Sequence, residues 1–185
     1  MSFHYEVRLS GEGGQGLVLA GKILAEAAAI YDGINATQSQ SYGPEARGGA
    51  SRSEVILSDE DNDFPKATRL DLLLALTQES CDKYAKDLKS GGVLLADADA
   101  VVTLPEGDFR TWHVPVIRYA RERLGKAIVA NIVSLGVITR AAGVVSEDAV
   151  RNAILARVPK GTEEINTNAF DLGLELADEM LAKQA

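Results

Sequence analysis

Tyr5-Glu6-Val7-Arg8-Leu9-Ser10-Gly11-Glu12-Gly13-Gly14-Gln15-Gly16, followed by the alanine- and leucine-rich residues 17–30, is the stretch that decides the fold class. The first five residues alternate in the period of a β-strand and stop at Ser10-Gly11. Residues 17–30 carry Ala, Leu, Ile and one Lys, a composition that favours a helix. Asp32-Gly33 ends it. Residues 34–39 then supply a second, weakly apolar strand. The opening therefore predicts β–loop–α–β, a crossover unit if the two strands are parallel.

Gly11, Gly13 and Gly16 have the spacing G-x-G-x-x-G between a strand and a helix. Such glycines let a backbone turn tightly and approach an anion, and the amides opening the next helix favour negative charge. A dinucleotide site also needs an acid closing the second strand, to hold a ribose. Asn35-Ala36-Thr37-Gln38-Ser39-Gln40 has none, and Asp32 lies too early. Close packing of strand on helix, with Gln15 bonded to neighbouring backbone, is the plainer use of the same glycines.

Further along, residues 51–57 alternate Arg52, Glu54 and Ile56 with Ser53, Val55 and Leu57, which predicts a strand with one wetter face. Residues 58–63 form an acidic stretch without the glycine and distal glutamate of a calcium loop, and read as a solvated turn. Asp71-Leu72-Leu73-Leu74-Ala75-Leu76 is apolar enough for a strand covered on both faces. A helix through Lys89, stopped by Ser90-Gly91-Gly92, should follow. Strands are expected at 93–97 and 110–116, and helices at 118–123, 128–142, 146–157 and 163–183. Ser146-Glu147-Asp148 supplies an N-cap and first-turn acids for the third of these. The expected class is α/β: a three-layer α/β/α sandwich with a mostly parallel or mixed sheet, a Rossmann-like start and a helical C-terminal third. No repeat or linker interrupts the chain, so residues 1–185 are expected to form one domain.

The chain has 185 residues and a formal net charge of −8, which argues against a nucleic-acid footprint. Its one cysteine, Cys81, rules out an internal disulfide and cannot by itself build an iron–sulfur cluster or a thiolate zinc site. Neighbouring acids make Cys81 a structural rather than a reactive thiol. His4 and His113 stand alone, so no metal site is expected. No apolar run is long enough to span a membrane, and the start carries no signal pattern, which predicts a cytoplasmic protein. Trp112 and the late helices are candidates for core or for a self-association surface.

The second polar stretch, Ser41-Tyr42-Gly43-Pro44-Glu45-Ala46-Arg47-Gly48-Gly49-Ala50, is bounded by helix and strand breakers and reads as a loop. Arg47 could fork a carboxylate or phosphate, or pair with Glu45 or Glu54. Tyr42 offers a flat face and a hydroxyl. In a parallel sheet this loop and the glycine loop would share the carboxyl edge, where α/β folds bind ligands. Gly11, Gly13, Gly14, Gln15, Gly16, Tyr42, Gly43, Arg47 and Gly48 are the candidate edge, for an anion such as a coenzyme A phosphate or for a partner subunit. No catalytic residue is assigned.

The two motifs in this order, with strand 51–55 and the later Asn131-Ile132-Val133-Ser134-Leu135-Gly136, resemble the gamma subunit of 2-oxoacid:ferredoxin oxidoreductases over nearly the whole chain. Residues 41–51 are most similar to the 2-oxoglutarate branch. The pyruvate, 2-oxoisovalerate and indolepyruvate branches share the glycine loop with variants of the second motif. The resemblance implies a three-layer α/β/α domain in an enzyme that joins a 2-oxoacid to coenzyme A, releases carbon dioxide and reduces ferredoxin. It implies thiamine diphosphate and magnesium at the alpha and beta subunits, and iron–sulfur clusters on other chains, a ferredoxin-like delta subunit among them. It gives this chain a part in assembly and in closing over coenzyme A, without turnover of its own. The other class left open by the residues is a free-standing α/β module that binds a phosphorylated ligand or a partner protein.

Overall fold

The computed structural model describes residues 2–42 and 50–185, the side chain of Tyr42 excepted. Gly43, Arg47 and Gly48 of the candidate edge thus lie outside the described residues.

Among the described residues six strands form one mixed sheet: β1 (His4–Glu12), β2 (Asn35–Tyr42), β3 (Ala50–Ser58), β4 (Leu70–Ala75), β5 (Leu88–Asp97) and β6 (Arg110–Val114). Their order is β2-β3-β1-β4-β5-β6. β1, β4, β5 and β6 are parallel neighbours, while β3 runs antiparallel to both β1 and β2. The expected crossover unit is present in split form. β1 and β2 point the same way, but β3 lies between them. A hairpin return is short enough to insert there, whereas a crossover places its strand only after a helix.

The helices are α1 (Leu17–Glu26), α2 (Gln78–Tyr84), α3 (Val116–Leu124), α4 (Ala130–Ala142), α5 (Glu147–Arg157) and α6 (Glu163–Gln184). The two faces of the sheet are covered unequally. Val7, Leu9, Val55, Leu72, Leu74 and Leu95 join α1, α3, α4, α5 and α6 in one apolar core. Leu73, Leu94 and Ala96 face a smaller core with Cys81 and Tyr84 of α2. In α4 the ten residues from Ala130 to Thr139 are all buried, so this helix is packed on every side. Trp112 is fully buried; it belongs to the core and not to a self-association surface.

Three local expectations change. The α-helix after the glycine loop ends at Glu26 and continues as one π turn, Ala27–Tyr31. Helix α2 stops at Tyr84, one 3-10 turn follows, and β5 begins at Leu88, so Ser90-Gly91-Gly92 lies inside a strand. Leu88 pairs with Leu70 across an irregular register, and Gly92 fits where a Cβ would press on the carbonyls of Lys89 (3.0 Å) and Asp71 (3.2 Å). The charged face of β3 is not wet either: Glu54 is buried beneath α2 with Arg8 of β1. The cap expected at Ser146 is present, its hydroxyl accepting the amide of Ala149. Asp32 accepts the amide and hydroxyl of Ser146 (2.6 and 2.7 Å), which accounts for this acid structurally.

Cys81 is buried in the smaller core, and burial first, then the Asp82 carboxylate, pushes its thiol up. Only the thiolate is nucleophilic. The native chain should therefore resist iodoacetamide at pH 8 and take up one equivalent in urea, as read by intact mass. Rapid labelling of the native chain would contradict a structural role.

Candidate functional site: the carboxyl edge of the sheet

Gly11 and Glu12 close β1, and the chain turns through Gly13–Gly16 into α1. Gly14 and Gly16 have φ of +89° and +74°, a region where an L side chain is strained. Glutamine 15 locks the turn from within. Its Oε1 accepts the amide of Glu12 (2.7 Å), and its own amide reaches the Glu12 carbonyl (3.4 Å). Gln15 thus bonds to neighbouring backbone, as the plainer reading of the motif expects.

The glycines divide into two kinds. At Gly11 an added Cβ would strike the Gln15 amide and press Leu17 and Leu76 at 3.2 Å. At Gly16 it would strike Asn131. Close packing explains both. Gly13 and Gly14 have nothing within 4 Å of a would-be Cβ, and Gly13 lacks a positive φ. Nothing inside the described chain requires Gly13 to be a glycine. Among the described residues, the amides of Gly13, Gly14, Gly16 and Leu17 also meet no acceptor. The loop therefore offers open room at Gly13 and Gly14 together with unpaired amide donors.

Asn131, at the start of α4, staples this loop to the rest of the fold. It is 4% exposed, its Nδ2 donates to the Gly16 carbonyl (3.0 Å), and its Oδ1 accepts the amide of Ile132 (2.8 Å). The sequence marked residues 131–136 as a family-like segment without giving Asn131 this role. An asparagine opening an otherwise apolar helix was the available signal. Beside the loop lies a cleft of about 200 Å³, lined by Gly14, Gln15, Leu76, Ile117, Ala127 and Ile128. Its apolar wall comes from the start of α3 and the connection into α4, segments that carry no motif of their own.

Two further features sit on the same edge. Asp97 closes β5, buried, and accepts the amides of Asp99 (3.0 Å), Ala100 (2.9 Å) and Ile117 (3.0 Å). Its oxygens are occupied by the fold, so it shapes the entry to α3 and is not a free base. Across β3, Glu12 stands opposite Ala50 and Tyr42 opposite Ser51. The residues that bound 43–49 are thus brought to the same end of the sheet as the glycine loop. His4 lies at the other end of β1, and the ring of His113 meets the Val101 carbonyl (2.7 Å). No cluster of three His, Cys, Asp or Glu suited to a metal occurs among the described residues. No helix among them is long and apolar enough to cross a membrane.

Comparison with known proteins fixes the family. The family model for pyruvate ferredoxin/flavodoxin oxidoreductase matches residues 6–176. The chain is 54% identical over 177 residues to the 2-oxoglutarate synthase subunit KorC of Methanocaldococcus jannaschii, covering 95% of each. Its fold matches the crystal structure of the keto/oxoacid ferredoxin oxidoreductase gamma subunit from Geobacter sulfurreducens with a TM-score of 0.85 and 57% identity, over 94% of this chain and 98% of that one. It also matches, at 21% identity and a TM-score of 0.83, 31% of a chain of the Magnetococcus marinus 2-oxoglutarate:ferredoxin oxidoreductase, solved with 2-oxoglutarate, coenzyme A and succinyl-CoA bound. That last likeness speaks for the fold alone, with 95% of this chain covered. The three-layer α/β expectation and the resemblance carried by the two motifs are both met, and the chain belongs to the pyruvate ferredoxin/flavodoxin oxidoreductase family as the gamma-type subunit of a 2-oxoacid:ferredoxin oxidoreductase complex.

Proposed function

We propose that this subunit serves a cytoplasmic 2-oxoglutarate enzyme, converting 2-oxoglutarate, coenzyme A and oxidised ferredoxin to succinyl-CoA, carbon dioxide and reduced ferredoxin. In this reading the glycine loop receives an anionic group of coenzyme A. The observation that carries it is Gly13: open space and unpaired amides, with no internal reason for a glycine. A loop of this kind at a helix start is suited to phosphate, and the neighbouring cleft offers apolar surface to an uncharged portion of the same ligand. Arg47 is the second proposed anion contact. Thiamine diphosphate with magnesium belongs to the alpha and beta subunits, and iron–sulfur clusters to the ferredoxin-like delta subunit and other chains. One cysteine, buried here, cannot supply a cluster's thiolates. The 54% identity to a 2-oxoglutarate synthase subunit supports the choice of 2-oxoacid.

The test is the complex assembled by co-expression with its partner subunits, assayed by viologen reduction over several 2-oxoacids. Turnover should be fastest with 2-oxoglutarate, and the isolated chain should show none. Gly13→Ala should then separate ligand from fold. The methyl group meets nothing internal, so the melting temperature of the isolated chain should stay within about 2 °C of the parent. KM for coenzyme A should rise about tenfold, the equivalent of about 1.4 kcal/mol, at unchanged KM for 2-oxoglutarate. Arg47→Ala should act in the same direction. An unchanged coenzyme A KM in both variants would remove the coenzyme A assignment. If co-purification of the partners weakened instead, the edge would be a subunit contact.

A further inference from the structure

The sheet has two edges, and they are built differently. The β6 edge is five residues long and carries Arg110 and His113. Shortness and charge are the usual protections of an edge against strand pairing. The β2 edge has neither. It runs for eight residues, Asn-Ala-Thr-Gln-Ser-Gln-Ser-Tyr, without a charge or a proline. Among the described residues its one strand neighbour is β3, in antiparallel register from Asn35 to Tyr42. In such a pair alternate residues turn their N–H and C=O away from the neighbour. No backbone group of the described chain meets those outward groups.

The surroundings of this edge have the form of a binding groove. A groove of about 560 Å³ follows residues 34–37, with Ala29 on one side and Asp61, Asn62 and Asp63 on the other. Asp59, Glu60, Asp61 and Asp63 are exposed, and among the described residues none of them is in an ion pair. Apolar side chains stand close by. The Ser39 hydroxyl donates to the Pro65 carbonyl (2.9 Å), which brings the neighbouring Phe64, 61% exposed, beside the strand. The π turn that packs on β2 carries Ile30, 67% exposed, and Tyr31.

We propose that the free edge of β2 accepts an added strand from a partner subunit, an extended segment that places Lys or Arg opposite Asp61 and Asp63. Strand addition gains affinity from main-chain hydrogen bonds and selectivity from flanking side chains. The four acids select a basic segment, and Phe64 and Ile30 offer apolar contact at either face. A second copy of this chain fits less well, because it brings a net charge of −8 and the same acidic turn toward the same groove. The inference rests on the chain acting as a subunit of its complex, and it assigns a surface remote in character from the glycine loop, since it needs no anion.

The experiment compares hydrogen exchange of β2 in the isolated chain and in the co-expressed complex, with Asp61→Lys/Asp63→Lys as the paired variant. Alternate amides within residues 35–42 should slow at least tenfold on assembly. The variant, altered only at exposed acids, should keep the parent's melting temperature. It should bind the remaining subunits about tenfold more weakly at low salt, with the difference shrinking as salt screens the acids. Equal exchange in both states, or equal binding by parent and variant, would overturn the proposal. Exchange that slows in the isolated chain as its concentration rises would assign the edge to a second copy and also overturn it. Failure of the parent chain to co-purify with those subunits would strike the complex reading itself, and is distinguished by that from a complex in which β2 still exchanges freely.

Discussion

Gly173→Ala should lower the stability of the isolated chain by on the order of 3 kcal/mol, and Gly136→Ala by a similar amount. Helices α4 and α6 cross at these two glycines with backbone against backbone. A Cβ on Gly173 would strike the Val133 carbonyl oxygen and come within 2.8 Å of Gly136 Cα; one on Gly136 would strike the Phe170 carbonyl and come within 2.8 Å of Gly173 Cα and 2.9 Å of the Leu174 amide. These are main-chain atoms of two long helices, so relief requires the helices to move apart. Phe170, Val133 and Leu174, all buried, would then lose packing together. Gly in a helix otherwise costs about 0.5–1 kcal/mol relative to Ala, so on helix propensity alone the substitution should stabilise. Packing and propensity thus predict opposite signs. A drop in melting temperature of roughly 6–12 °C decides for packing, and a rise would show that the crossing is looser than the geometry indicates.

The same glycines show what a sequence reading can and cannot reach. Strand β1, the glycine turn and α1 were legible because their signals are local: a period of two, a run of glycines, then strong helix formers. The family-like segment 131–136 was legible as a pattern, but its use depends on residue 173, far along the chain. The order of the strands was not legible for the same reason. Nothing within residues 5–58 states that β3 returns between β1 and β2, because that depends on which neighbour each strand meets. The end of α2 was misplaced by a rule that holds only locally. Ser90-Gly91-Gly92 is a good helix stop, yet β5 has already begun at Leu88 under the pull of pairing with β4. At the candidate site the motif gave the loop and the shared edge with Tyr42. It could not give Asn131, Ile117 or Ile128, whose approach to the loop is purely tertiary. Glu54 was misjudged because alternation identifies a polar face without saying whether water or another charge lies opposite it.

Arg8→Met should cost about 3–5 kcal/mol, the usual penalty for removing one partner of a buried ion pair. Arg8 is 3% exposed on a central strand of the sheet. Its guanidinium donates to Asp87 (2.6 Å) and to the Ala67 carbonyl (2.9 Å), lies 3.5 Å from Glu54, and stacks over the Tyr84 ring at 4.8 Å. Glu54, 4% exposed, also accepts the Ala67 amide (2.5 Å) and has Arg52 at 3.3 Å. Methionine can fill much of the volume, so the penalty reports charge more than cavity. What remains is a buried Glu54 with one half-buried arginine, and an Ala67 carbonyl without its donor. Asp87 is partly exposed and can recruit water, so it should contribute little. The diagnostic comparison is therefore with Glu54→Gln in the same background. Removing the stranded charge while keeping an acceptor for Ala67 should return part of the loss, making Arg8→Met/Glu54→Gln more stable than Arg8→Met alone. Urea midpoints at constant slope for Arg8→Met, Glu54→Gln and the double variant give the coupling between the two positions. If the two substitutions were simply additive, the destabilisation would come from lost packing against Tyr84, and the buried charges would be independent of one another.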